Sequence, residues 1–154
     1  WNETRKKKAS DMGFTPLEIT ILASIVSEET MKSSEDPIVA GVYINRLKKG
    51  MKLQADPTVK FAIGDFALKR ILLKHLEYDS PYNTYVYKGL PPSPICIPEP
   101  STIDAVLNYQ QHSYLYFCAK DDLSGYHAFA KTLIQHNKNA QAYQRALNKQ
   151  KIWK

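Results

Sequence analysis

Several familiar sources of chemistry are missing from this chain. Its 154 residues include only two cysteines, Cys96 and Cys118, whose separation fits neither a CxxC pair nor a zinc ligand set. They are compatible with one disulfide or with two buried thiols. The four histidines, His75, His112, His127 and His136, show no HExxH or comparable local pairing, so no metal site is expected. No GxSxG elbow, Walker loop or GxGxxG occurs, which removes the usual handles for serine acyl transfer, phosphoryl transfer and dinucleotide chemistry, and no cofactor is expected. No apolar run approaches the roughly 20 residues that cross a bilayer. Acidic residues are outnumbered, 15 against 21 lysines and arginines, for a net charge of +6. That balance favours an anionic partner. Its one dense basic run, Arg5 to Lys8, reads as a solvated helix face, and nucleic acid is not expected.

What is present suffices for one core. With 44% hydrophobic and 11% aromatic residues the chain reads as a single domain from residue 15 to 154. Residues 1–14 read as an N-terminal linker or the tail of an upstream helix, ended by Met12-Gly13. Because the chain begins at Trp1 rather than methionine, it is taken as a piece of a longer protein, and the lack of a targeting segment says little about the parent.

The stretch Thr15 to Thr30, TPLEITILASIVSEET, has a well-marked helix start: Thr15 as N-cap, Pro16 at the first helical position and Glu18 to close a capping box. At 100° per residue, Ile21, Leu22, Ile25 and Val26 share an apolar arc, with Thr20, Ser24 and Ser27 opposite. Glu29 falls in the middle of that arc and Glu28 at its edge. A carboxylate aimed inward must either pair with a cation or sit on the floor of a cleft with a raised pKa, where it can act as an acid. Position alone leaves both open.

Farther along, Asp36-Pro37 reads as N-cap and first turn of a helix over Ile38 to Lys48, packed antiparallel to the first, with structural duty for Arg46. Asp56-Pro57 starts another helix, with Gln54 on the loop before it, and Phe66 to Glu77 has an amphipathic pattern. Tyr78 to Pro100 holds six of the nine prolines and four of the ten tyrosines, a rigid aromatic loop suited either to wrapping the core or to stacking on sugars. A short helix over Ser101 to Asn108 precedes a strand over Tyr114 to Ala119, a turn, and an antiparallel partner over Tyr126 to Ala130. Lys131 to about Lys151 reads as a final helix with Leu133, Ile134, Ala140, Tyr143 and Leu147 as its buried positions. The fold class is therefore α+β, helix-rich with a small antiparallel sheet. An inward carboxylate beside an amide- and tyrosine-rich loop leans toward glycosidic chemistry.

Four ordered blocks carry a specific resemblance: LASIVSEET (22–30), AGVYINRLKKGMKLQADPTV (40–59), SPYNTYVYKGLPPSPI (80–95), and YLYFCA followed by HAFAKTLIQHN (127–137). Together they resemble the MltG (YceG-like) endolytic murein transglycosylases. The resemblance implies a YceG-like catalytic domain that cuts peptidoglycan glycan strands between N-acetylmuramic acid and N-acetylglucosamine, leaving 1,6-anhydro ends. It implies a parent anchored by an upstream helix in the cytoplasmic membrane, with this domain on the periplasmic face, and association with cell-wall synthases. The family's catalytic glutamate precedes the threonine of a Glu-Thr pair, which falls on Glu29. Substrate-site roles are implied for Gln54, Asp56, Thr58, Tyr82, Asn83, Thr84, Tyr85, His127, Phe129, Thr132, His136 and Asn137, with Gln54, Asn83 and Tyr85 favoured for sugar. Ser27 stands where the family commonly has a second acid, and Ser93 and Tyr126 stand where glycine is usual. Two alternatives remain: a noncatalytic peptidoglycan-binding module, and a glycoside hydrolase whose second carboxylate is Asp56 or Asp79.

Overall fold

In the computed structural model, which describes residues 1–64 and 71–152, the capping box forms as its sequence predicts. Thr15 Oγ1 accepts the Glu18 N–H at 3.1 Å and Glu18 Oε1 accepts the Thr15 N–H at 3.0 Å, opening helix α2 (Pro16–Glu29). The expected polar side of α2 is largely covered, with Thr20 and Ser27 only partly exposed. Ser24 is as fully buried as Leu22 and Ile25, because the proline-rich loop covers that side. Ser24 Oγ donates to Ile21 O at 2.6 Å and accepts the Ile95 N–H at 3.1 Å, and the Cys96 thiol reaches Ser24 O at 3.4 Å. Cys96 and Cys118 are both free thiols. A helix buried on nearly all sides makes a rigid platform for the residue at its end.

Residues 1–14 form a capped helix, α1 (Glu3–Met12). Asn2 accepts the Arg5 N–H at its start, and Gly13, with φ of 81°, ends it in the left-handed conformation that glycine adopts freely. Ala9 enters the core, and Arg5 grips Asp104 with two bonds of 2.8 and 2.9 Å. After α2, a 3-10 turn (Ser33–Glu35) leads into α3 (Asp36–Lys48), so Asp36 is the first helical residue rather than the cap. The helices α4 (Asp56–Ile63) and α5 (Pro100–Leu107) each begin with proline in the first turn, where its missing N–H costs nothing. Of the amphipathic stretch from Phe66, residues 66–70 lie outside the described residues and Leu73–Glu77 form a 3-10 turn.

Strands β1 (Tyr116–Ala119) and β2 (His127–Ala130) pair antiparallel, with Tyr116 opposite Ala130 and Ala119 opposite His127. Both start later than the sequence suggests. Helix α6 (Leu133–Ile152) packs back on this hairpin. Leu133 and Ile134 are 54% and 73% exposed, against expectation, because α6 meets the rest of the molecule along one side only, through His136, Ala140, Tyr143 and Leu147. The core is centred on α2 and α3, with Ile19, Leu22, Ile25, Val39, Tyr43 and Ile44 fully or almost fully buried. Each such aliphatic side chain contributes about 1.5–3 kcal/mol. Among the described residues the fold is α+β, helix-rich with one two-stranded antiparallel sheet.

Candidate active site

Glu29 is the last residue of α2, and the chain leaves the helix at Thr30. Tyr43 from α3, almost fully buried, donates its hydroxyl to Glu29 Oε1 at 2.7 Å. Burial raises the Glu29 pKa from 4.5 to about 7; the Tyr43 hydrogen bond opposes the rise and the charge of Asp56 adds to it. Among the described residues Glu29 has no lysine or arginine ion-pair partner. Of the two fates open to an inward carboxylate, this is the cleft and not the pair. With Oε1 occupied by the tyrosine hydroxyl, Oε2 is left to carry the exchangeable proton.

A cavity of about 250 Å³ opens over this group, lined by Glu29, Arg46, Gln54, Asp56, Tyr85 and His136 among others. Each wall residue has a local reason for its place. Arg46 lies one turn after Tyr43 on α3; it donates to Leu115 O at 2.7 Å and Lys52 O at 2.8 Å, and its guanidinium lies 5.1 Å from the Tyr116 ring centre. Burial lowers its pKa, yet a guanidinium stays charged. Its expected structural duty is therefore real, though it also presents charge to the cavity. Gln54 holds φ of 51°, an uncommon backbone for a residue with a side chain, and its N–H donates to Thr84 O at 3.2 Å. Asp56 opens α4 and accepts the Tyr85 hydroxyl. Burial, helped by that bond, raises the Tyr85 pKa and keeps it neutral.

His136 reaches in from α6 and stacks on Tyr116 at 5.2 Å. Burial and the neighbouring Arg46 lower its pKa, so it is neutral at pH 7, and its buried Nδ1 has no hydrogen-bond partner among the described residues. In chemical terms the cavity offers one carboxyl group poised between acid and base, a second carboxylate, and planar groups able to hydrogen-bond or stack on a ring.

Of the residues expected at the site, the structure gathers Glu29, Gln54, Asp56, Tyr85 and His136 around this cavity. The others have different surroundings. Asn83 is fully buried and cannot reach a sugar, because its amide donates to Leu76 O and Tyr78 O and its Oδ1 accepts the Tyr85 N–H. Thr58 and Thr84 are also buried, their hydroxyls 2.8 Å apart and bonded to Ala55 O and Ala55 N–H respectively. All three brace the two segments that present Gln54 and Asp56 on one hand and Tyr85 on the other. Tyr82 pairs with the Ser93 hydroxyl at 2.7 Å and packs on Phe61. His127 is tied to Glu35, Phe129 packs among Phe117 and Tyr114, Thr132 accepts the Gln135 N–H, and Asn137 is exposed outside the cavity. Tyr126 lies beneath the Lys32 ammonium at the surface. Sequence reasoning missed Tyr43 and Tyr116 as site residues. Tyr43 could have been found by asking which α3 side chain meets the end of α2 when the two helices pack together.

The YceG-like family pattern matches residues 1–142. The endolytic murein transglycosylase of Bacillus subtilis is 41% identical over 92% of this chain, and the chain spans 38% of that protein's length. The protein of the same name from Streptococcus pneumoniae D39 is 32% identical over 79% of this chain and 23% of its own. A solved yceG-like protein from Listeria monocytogenes superposes with a TM-score of 0.80 at 36% identity, covering 88% of this chain and 43% of that one.

Proposed function

Because the chain belongs to the YceG-like family, we propose that it is the catalytic part of an endolytic murein transglycosylase, cutting peptidoglycan strands between N-acetylmuramic acid and N-acetylglucosamine. The observation that carries the chemistry is Glu29, a carboxyl group with a pKa of about 7 at the floor of a cavity. Protonated Glu29 donates its proton to the glycosidic oxygen, and the C1–O bond breaks as positive charge develops on the muramic ring. The resulting carboxylate takes the proton of the C6 hydroxyl while O6 closes on C1. No water is consumed, and the product is a 1,6-anhydro end. One carboxyl group serves as acid and then base, so serine at position 27 in place of a second acid removes nothing from this scheme. Gln54, Tyr85 and His136 hold the ring and its acetamide, and Tyr43 orients the carboxyl group. The reading extends to a parent protein anchored in the cytoplasmic membrane, with this domain on the periplasmic face beside cell-wall synthases.

One observation favours a second reading. Asp56 borders the same cavity and is placed to activate water, as the second carboxylate of a hydrolase would. Mass analysis of digested peptidoglycan separates the two. The transglycosylase gives anhydro-muramic ends, lost in Glu29→Gln and declining as pH rises through about 7. Reducing ends carrying the mass of water would establish the hydrolase. Retention on glycan with no cleavage at any pH would leave only a binding module.

A further inference from the structure

A second and larger cavity, about 740 Å³, shares Glu29 and Asp56 with the first, and these two residues line both. Its chemistry differs from the first. Beyond those two carboxyl groups it is walled by Pro57, Phe61, Ile95 and Tyr143, with the amine of Lys60 and the carboxylate of Glu28 beside them. Helix geometry explains why they gather here. Asp56, Pro57, Lys60 and Phe61 fall on one face of α4, a turn apart. Tyr143 follows His136 two turns later on α6, so one face of that helix runs from the first cavity to the second, roughly 10 Å along its axis. The volume lies in the range of about 300–1,000 Å³ that accommodates a ligand of several hundred daltons.

Resting on the reading of Glu29 as the acid that cuts a glycan strand, we infer that this cavity receives the stem peptide carried by the muramic residue being cleaved. That peptide hangs from C3 of the sugar whose C1–O bond breaks, through a lactyl ether, so it departs within a few bond lengths of the reacting atoms. A cavity sharing its wall with the catalytic carboxyl group is where such a branch goes. The peptide's methyl-bearing residues match Phe61, Pro57, Ile95 and Tyr143; its carboxylates match Lys60, and an amine matches Glu28.

The test compares strands bearing their stem peptides with strands stripped of them by an amidase. Release of anhydro ends is measured for the protein and for its Lys60→Ala and Tyr143→Ala variants, with circular dichroism to show that each is folded. The expected result is about a tenfold higher kcat/KM for stem-bearing strands, with the ratio falling toward one in both variants. Lys60 is partly exposed, so its substitution keeps the test open if Tyr143→Ala misfolds. Equal rates on the two substrates, or variants that keep the full ratio, would overturn the inference while leaving the transglycosylase reading intact. Absence of anhydro ends from either substrate would overturn that reading and this inference with it.

Discussion

A glutamate that folding leaves short of water costs stability, and Glu29 permits a test of that cost. Its pKa is about 7 in the folded chain and near 4.5 when unfolded, so between these values the folded state holds a proton that the unfolded state has lost. The favourable contribution is complete below pH 4.5, declines as pH rises, and is gone above about pH 7. Glu29→Gln keeps the shape and an acceptor for the Tyr43 hydroxyl without that penalty. Its melting temperature should therefore exceed that of the parent at pH 8, by a stabilisation on the order of 1–3 kcal/mol, with little difference at pH 4. An equal offset at both pH values would show that burial of the charge is not the cause. Glu29 was legible because one helix phase and one sequence block select it. Asn83 was misread because a loop amide looks alike whether it faces a ligand or three backbone groups of its own loop. The difference lies in burial, which a Pro- and Tyr-rich composition does not reveal.

Between elements, close approach matters more than periodicity, and α3 supplies the clearest case. A methyl group at Gly41 would lie 2.5 Å from His112 Nε2 and 2.6 Å from the carbonyl of Gln110. The loop is held there by Gln110 N–H to Pro37 O at 3.1 Å, by His112 Nε2 against Ile38 O at 2.9 Å, and by Asn45 donating to His112 O and Tyr114 O. Gly41→Ala should force these apart and lower stability by about 1–3 kcal/mol or more, read from urea unfolding, although alanine favours a helix intrinsically. A neutral or stabilising result would mean that the loop yields freely. Helix starts were legible because caps and prolines act within four residues: α2 began where Thr15 and Pro16 place it, and α4 at Asp56. The buried serine side of α2, the exposed Leu133 and Ile134, and the late strand starts were not, since each depends on which distant segment covers the element. Residues 1–14 show the same limit. Their basic run suggests a solvated tail, while Arg5 and Ala9 find partners on α5 and in the core.

At the scale of the molecule, the site is assembled from two bodies of structure that the chain joins far apart in sequence. The helices around α2 supply Glu29 and Asp56, while the hairpin and α6 supply Tyr116 and His136. Glu35, only 5% exposed, fastens one to the other. Its carboxylate accepts the Thr30 hydroxyl at 3.1 Å, the His127 N–H at 2.8 Å, and the His127 ring at Nδ1 at 2.8 Å, the ring lying 92 residues away. Thr30 is bonded directly to Glu29 in the chain, so the same carboxylate that holds β2 also fixes the end of the helix presenting Glu29. His127 belongs to this fastening and stands outside the cavity. Glu35→Ala would strip a partner from three buried or half-buried donors, a loss on the order of 2–4 kcal/mol. The consequence should be uneven. Amide hydrogen exchange ought to quicken most in residues 116–130 and at the last turn of α2, with little change in α1 and α5, and kcat should fall more than KM rises because the acid loses its fixed orientation. Uniform acceleration through every helix would mean that Glu35 contributes only to global stability and that the two halves of the cleft are held together by packing alone.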